Sequence, residues 1–362
     1  MQLKKFEVKN FKGFKDQFIF DFSKTKDYPF HPEYIQNHII QKALIYGKNG
    51  VGKSNLGYAL FDITLLLGNP NHIHYADETY LNLDSNEVSA DFRYKFFSQN
   101  HSIIYHYKKE NYNIILLEEI IIDNQVLFHY ERSSSQETIT LTKNEFLKES
   151  ISLKANQTLL SYMDGKIIDH PLLLELIQFI LHMRWYRFSF QKMDEQKDAS
   201  AIDEEIIQRN ALPSLQKFLE DNGIYYSLIE KKVDSHSKIF VHYKKGDIPF
   251  LEVASSGTKS LYYYFYFSLF FLNTSLLFID EFDALYHYET AEMVLKLLFK
   301  NNDMQVYVIS HNTYLMKNSV IRPDCCFLLS PNKITSLAYS TDKEIQETHN
   351  LEKMYRNGAF KE

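Results

Sequence analysis

Glycine, proline, cysteine and tryptophan are all scarce in this 362-residue sequence, with 11 Gly, 8 Pro, 2 Cys and 1 Trp. So little glycine and proline excludes collagen-like and low-complexity chains. It also means that any cluster of glycines needs a reason. The two cysteines, Cys325 and Cys326, are adjacent. Neighbouring cysteines rarely reach disulfide geometry, and no zinc site can be assembled from them with histidines at the usual spacing. They read as small buried hydrophobes in a reducing, cytoplasmic setting. An excess of positive charge is missing too. The formal charge is −6 and the pI about 6.2, so there is no global basic footprint for nucleic acid, while a local patch stays open. The first residues, Met1-Gln2-Leu3-Lys4-Lys5-Phe6, lack the apolar core of a signal peptide.

What is present is a large stock of core-forming residues. Hydrophobic residues make up 45% and aromatics 15%, with 28 Phe and 26 Tyr, which excludes global disorder. The length suits two domains of about 150 residues or one large α/β domain with an insertion. From Ser260 to Ile279 the chain runs twenty residues without a charge, a window that hydropathy alone reads as a membrane span. It divides, however, into a helix to about Leu272, a polar turn at Asn273-Thr274-Ser275 and a short strand, each too short to cross a bilayer.

Periodicity organises the rest. Leu3, Phe6 and Val8 begin a strand, and Phe18, Phe20 and Phe22 alternate with Ile19 and Asp21. Between about 86 and 131, Ala90/Phe92/Tyr94/Phe96, Ile103/Tyr105/Tyr107 and Val126/Phe128/Tyr130 predict an antiparallel meander with polar turns at Ser98-Gln99-Asn100 and Asp123-Asn124. Residues 140–222 read as helical, most clearly Leu172 to Phe188. Short strands are expected near 225–230, 239–243 and 249–253.

One glycine cluster has its reason in the pattern G-x-x-x-x-G-K-[ST]. Gly47-Lys48-Asn49-Gly50-Val51-Gly52-Lys53-Ser54 follows the apolar run Lys42–Tyr46 and precedes an amphipathic stretch at Leu56, Ala59, Leu60, Ile63, Leu66 and Leu67, closing at Gly68-Asn69-Pro70. Glycines there let backbone N–H groups wrap phosphates at a helix N-terminus. Lys53 reaches the β- and γ-phosphates, and the Ser54 hydroxyl can ligate Mg²⁺. Asn49, Gly50, Gly52, Lys53, Ser54 and Asn55 are the candidate nucleotide-binding residues of this segment.

A second run, Ser275–Ile279, ends in Asp280-Glu281. Apolar on both faces, it reads as a buried parallel strand, whose C-terminal end is where an open α/β sheet places ligands. Asp280 is the candidate Mg²⁺ ligand, and Glu281 the candidate general base for an attacking water. A third buried run, Gln305–Ser310, ends in His311, placed to touch the γ-phosphate and that water. Upstream, Ser255-Ser256-Gly257-Thr258-Lys259-Ser260 opens a helix and forms a second anion-binding N-terminus. Within one nucleotide site it is redundant. It makes sense facing the nucleotide of another subunit.

In order, GKNGVGKS, SSGTKS, LLFIDE, Phe282-Asp283-Ala284-Leu285 and ISH resemble the Walker A, signature, Walker B, D-loop and switch histidine of ABC-type ATPases. Val8–Phe14 is similar to the opening of RecF, OLD and double-strand-break repair ATPases. Leu351–Phe360 looks like the tail of RloA/AbiL-type ATPases of abortive-infection loci. The resemblance covers about 1–68, 250–315 and the tail. It implies an α/β fold of the ABC-ATPase P-loop kind, a mixed central sheet with helices, an antiparallel β lobe and an inserted helical lobe. The expected bounds are 1–85 and 246–340 for the ATPase core, 86–135 for the β lobe, 136–245 for the helical lobe and 341–362 for the tail.

The resemblance further implies ATP and Mg²⁺ as ligands and a slow ATP hydrolysis by a cytoplasmic protein. It implies a head-to-tail homodimer or larger oligomer, with ATP between Lys53 and Ser54 of one protomer and Ser256 and Gly257 of the other, and Asp283 communicating across the interface. The signature has Ser255-Ser256-Gly257 where transporters carry LSGGQ. A Q-loop glutamine is not placed; Gln99 is a weak candidate. The 51 residues after His311 are too few for the nuclease domain of OLD proteins, so a separate effector, such as a nuclease or toxin, is the expected partner of an antiphage sensor. Membrane association is not expected. A RecF-like repair ATPase, which would engage DNA, and a nucleotide-locked scaffold are the alternatives.

Three other features read more simply as structure. Met183-Arg184-Trp185-Tyr186-Arg187-Phe188 holds the only Trp, and could stack a base or dock a partner but reads first as a helix end covered by amphipathic side chains. Lys231-Lys232 and Lys244-Lys245 could make a small DNA-facing patch but read first as solvated turn lysines. Asp203-Glu204-Glu205 reads as a helix N-terminal acid cluster.

Overall fold

The computed structural model describes residues 1–67, 79–132, 137–141, 153–154, 156–163, 170–187, 195–233, 236–282, 286 and 288–361. The chain divides into two compact units. One comprises residues 1–186, 275–280 and 301–362, and the other residues 187–274 and 281–300. The architecture is α/β, as expected.

The first unit is built on two large sheets, with a small two-stranded one at 35–36 and 39–40. The apolar runs Leu276–Asp280, Gln305–Ile309 and Lys42–Gly47 are buried over nearly their whole length, and side chains apolar on both faces suit interior strands of a parallel sheet. They pair in parallel in that order, and Cys326–Ser330 continues the parallel set beyond Lys42–Gly47. Lys333–Ser336 closes one edge in antiparallel fashion, and Met183–Arg187 forms the other edge, next to Leu276–Asp280. The second sheet is the antiparallel meander, seven strands in the order 137–141, 125–132, 115–122, 101–109, 90–98, 2–9 and 18–21. Two of its turns are two-residue connections with positive φ at both positions, Gln99-Asn100 and Asp123-Asn124, the geometry that matches strand twist. Gln99 is therefore spent on an exposed hairpin tip. Both cysteines are buried and reduced.

The helix Lys53–Leu65 is buried on opposite faces, one against each sheet. Phe61 packs on Phe278, while Tyr94 of the meander donates its hydroxyl to the Ala59 carbonyl at 2.9 Å. A helix apolar nearly all round belongs in a core. Even so, it carries one charge inward. Asp62, fully buried, accepts from the Lys109 ammonium at 3.0 Å, from Tyr107 at 3.0 Å and from Tyr80 at 3.2 Å. A carboxylate costs too much to bury unless paired and hydrogen-bonded, and here a cation and two phenols meet that condition.

The second unit holds the helices Glu195–Gln208 and Leu212–Asp221, a three-stranded antiparallel sheet (228–233, 236–243, 246–249), the short helix Phe250–Val253, and the helices Ser256–Ser268 and Tyr288–Phe299. Leu261, Tyr262 and Phe265 join Ile206, Leu215, Ile239 and Phe250 in one core. The charge-free stretch is thus the greater part of the helix Ser256–Ser268, which ends short of the expected Leu272, then a turn, and the apolar part of the strand Leu276–Asp280. Among the described residues no helix is long and apolar enough to cross a membrane.

Three local expectations change. The helix expected to Phe188 ends at Leu181, and 183–187 is a strand, because the Trp and Tyr of this segment find a neighbouring strand to pair with, which local periodicity does not reveal. Asp203 lies inside the helix Glu195–Gln208 and is buried, not at its N-terminus. It accepts from the Tyr262 hydroxyl at 2.6 Å and the Ile239 N–H at 3.0 Å. The strand expected near 249–253 is the short helix Phe250–Val253. The expected helix stop at Gly68–Pro70 lies outside the described residues.

Candidate functional site

Parallel register decides what meets at the sheet edge. Ile279 pairs with Val308, and Ile309 with Ile45. Three neighbouring strands therefore end side by side, delivering Asp280, Ser310-His311 and Gly47 to one edge. This is the position at which parallel α/β sheets hold ligands. Asp280 is 1% exposed, and His311 is exposed.

The loop after Gly47 takes its shape from glycine. Gly50 has φ +79° and Gly52 φ +100°, a region that other residues enter only at a cost. Gly52 is the N-cap of the helix and supplies no side-chain cap. The first amides of that helix therefore have no side-chain acceptor at the N-cap, and an anion is their natural partner. Lys48, Asn49 and Gly50 are exposed, while Lys53 is only 9% exposed. The Lys53 ammonium folds back over the loop and donates to the Gly47 and Lys48 carbonyls, both at 2.8 Å. A cation is thereby stored inside the loop's own curve.

His311 sits between two anchors. The Ser310 N–H donates to Ile45 O at 3.0 Å, and Tyr46 donates its hydroxyl to Asn312 O at 2.9 Å. Asn312 in turn caps the next turn through Tyr314 N–H at 3.0 Å. Asn55 is met from the other side by the N-terminal segment. A Cβ on Gly13 would stand 2.9 Å from Asn55 Nδ2, so Gly13 is what lets residues 10–14 lie against the start of the phosphate-loop helix. A cavity of about 330 Å³ borders the outer face of the loop, lined by Tyr46–Val51, Leu328–Pro331 and Tyr355. Tyr355 belongs to the tail helix Leu351–Arg356, which is held to the turn after His311 by Thr313 donating to Glu352 at 3.0 Å.

The remaining candidates lie in the second unit. Ser256 and Gly257 open the helix Ser256–Ser268, with Ser255 as N-cap accepting from Thr258 N–H at 3.2 Å. Ser255 and Ser256 are exposed. Glu281 has φ +59° and accepts from Arg187 at 3.2 Å. Asp283 lies outside the described residues. So Lys53, Ser54, Asp280 and His311 belong to one unit, and Ser256, Gly257 and Glu281 to the other.

The donor set suits Mg²⁺ in one particular way. Among the described residues no three His, Cys, Asp or Glu side chains form a metal cluster. A hydroxyl and a single carboxylate, Ser54 and Asp280, are hard oxygen donors of the number that Mg²⁺ takes from protein when phosphates and water supply the rest.

Sequence reasoning gave Gly13, Tyr46, Asn312, Arg187 and Tyr355 no role at this site. Only proximity in space marks Tyr46 and Asn312, while Gly13 and Tyr355 lie within the two resembling end motifs and Arg187 in the segment of the only Trp.

Comparison with solved structures finds an SMC head domain from Thermotoga maritima, 16% identical, covering 93% of this chain and 99% of that one with a TM-score of 0.44. It also finds an SMC head bound to the C-terminal winged-helix domain of ScpA, 13% identical, covering 93% and 98% with a TM-score of 0.48. Both scores lie below 0.5, and neither likeness carries weight for function. No curated protein sequence matches significantly. A family model does match, over residues 42–317, more than half of the chain, and its description reads "AAA domain, putative AbiEii toxin, Type IV TA system". The match runs from the first residue of the phosphate-loop strand to beyond His311, and the chain belongs to this family of AAA domains.

Proposed function

We propose that the protein binds and hydrolyses ATP with Mg²⁺. The observation that carries this reading is the single sheet edge where Gly47–Ser54, Asp280 and His311 end neighbouring parallel strands. Backbone N–H groups of Asn49 to Lys53 would cradle the phosphates. Lys53 would exchange its two carbonyl partners for phosphate oxygens, a stronger, charge-assisted pairing. Ser54 and Asp280 would hold Mg²⁺, which supplies neutralisation of the charge on the phosphate oxygens. Glu281 would take a proton from water as its oxygen attacks the γ-phosphorus and the bond to the bridging oxygen breaks, releasing ADP and phosphate. His311 would contact the γ-phosphate.

In the same reading Ser256 and Gly257 close the nucleotide site of a second copy, head to tail, and Asp283 communicates across that interface. The exposure of Ser255 and Ser256 at the N-terminus of the helix Ser256–Ser268 supports this. We further propose an antiphage role of the abortive-infection type, finer than the family itself, as a cytoplasmic sensor acting on a separate effector. The family's description in terms of a toxin–antitoxin system, together with the RloA/AbiL-like tail, supports it.

The test is phosphate release and light scattering on wild type, Lys53→Ala and Glu281→Gln. Lys53→Ala should lose nucleotide binding. Glu281→Gln should abolish turnover and accumulate an ATP-bound dimer. Turnover unchanged in Glu281→Gln, with no ATP-dependent change in mass, would reject the reading. Strong stimulation by DNA at physiological salt would transfer it to a repair ATPase.

A further inference from the structure

The tryptophan segment found a place in the fold that its sequence did not announce. Met183–Arg187 is the edge strand beside Leu276–Asp280, the strand that delivers the acidic pair. At the start of the two strands Ser275 N–H donates to His182 O at 3.1 Å, and beyond their other ends Arg187 meets Glu281. They therefore run in the same direction, with equal five-residue lengths.

Trp185 fixes this strand against the phosphate-loop helix. A Cβ on Gly57 would stand 2.6 Å from Trp185 Cζ2 and 3.0 Å from Phe278 Cε1. Glycine at 57 is thus what allows the indole to lie between the helix and the acidic-pair strand. Tyr58 meets the same indole edge-on, with centroids 5.0 Å apart. The half-buried indole is thus engaged in packing against the helix and the strand.

The two arginines that flank it behave differently. Arg184 turns back and donates to the Leu181 and Met183 carbonyls at 2.8 and 3.0 Å, closing the preceding helix end. Arg187 reaches forward to Glu281 Oε1. At 45% and 37% side-chain exposure, this pair is too wet to matter for stability. Glu281 is also held in the left-handed region, at φ +59°, a conformation that a non-glycine residue keeps only where its surroundings impose it.

We propose that Arg187 is a positioning residue, holding the Glu281 carboxylate in the orientation from which it takes the proton of the attacking water. This rests on the reading of Glu281 as general base. The arginine acts through Glu281, whose Oε1 it engages.

The experiment compares Arg187→Ala, Arg187→Lys, Glu281→Gln and the double variant Arg187→Ala/Glu281→Gln, all as the full chain. Arg187→Ala should lower kcat about tenfold with KM for ATP nearly unchanged, the signature of lost orientation rather than lost binding. Arg187→Lys should recover part of that loss. In the Glu281→Gln background, removing Arg187 should have no further effect, since the two act as one unit. Emission from Trp185 and MgATP affinity by calorimetry should match wild type, showing that the strand and the binding site are intact. If Glu281→Gln abolishes turnover while Arg187→Ala leaves kcat unchanged or raises it, the inference is overturned and the general-base reading stands. If Glu281→Gln turns over at the wild-type rate, the general-base reading itself is overturned, and the inference with it.

Discussion

The two helices that begin at candidate anion-binding positions are built in opposite ways. The helix Lys53–Leu65 has a glycine N-cap that offers its amides no side chain, and a body clamped by a buried ion pair. The helix Ser256–Ser268 caps itself through Ser255 and is held by aromatic packing and by the hydrogen bond from Tyr262 to Asp203. A ligand would therefore add the cap that the first helix lacks and only supplement the second. In the function proposed above the first helix stays rigid while its N-terminus holds charge, and the buried Asp62 pair would serve that rigidity. A paired carboxylate between Lys109, Tyr107 and Tyr80 resists displacement of the helix far more steeply than apolar contact does, because any slip leaves two buried charges unpaired.

The largest test of this contrast is Asp62→Ala. It strands the Lys109 ammonium, 1% exposed, and should cost about 3–5 kcal/mol in chemical denaturation. Asp203→Ala removes an acceptor from two neutral donors and should cost about 1–3 kcal/mol. Equal losses would erase the distinction between a charge-clamped and a packing-held helix.

A pH titration sharpens it next. Glu118 accepts from Leu159 N–H at 2.7 Å and Tyr105 at 2.9 Å, beside Thr158, which donates to Leu66 O just past the end of the phosphate-loop helix. Burial pushes its carboxyl from 4.5 up to about 7. Burial likewise moves Asp203 from 3.8 to about 6. A raised carboxyl means that the folded state holds its proton longer than the unfolded state does. The associated stability is therefore fully present below the unfolded pKa and is lost as pH rises through the folded one. Stability should fall between about pH 4.5 and 7 from Glu118, by about 3 kcal/mol. Glu118→Gln should flatten that slope, and Asp203→Asn should flatten only the part below about pH 6. A slope unchanged in both variants would show that neither carboxyl titrates in this window.

The smallest effect is Ser255→Ala. Loss of a side-chain N-cap should cost about 1 kcal/mol, read as a shift in the denaturation midpoint. Because the cap is internal to the protein, the loss should be independent of added ATP.

Much of the site was legible because its residues are contiguous. A glycine-rich loop between an apolar strand and a helix, and carboxylates at the end of an apolar run, are local patterns, and the structure keeps both. The meander was legible by strict alternation, but its union with Gln2–Lys9 and Phe18–Asp21 was not, since pairing partners about 90 residues apart leave no periodic trace. The segment 183–187 was misread for a related reason. Aromatic and arginine residues suit a helix end or an edge strand equally well, and only the neighbouring strand decides.

By itself, then, the sequence determined the phosphate loop, the buried strands and the order of the motifs, because backbone conformation and burial period are written in neighbouring residues. Tertiary structure alone decided which ends meet. Parallel register brought Asp280 and His311 to the edge of Gly47, a buried charge clamped the helix behind the loop, and an edge strand placed Arg187 at Glu281. Each of these joins residues dozens to hundreds of positions apart, where only packing and hydrogen-bond satisfaction select the partner.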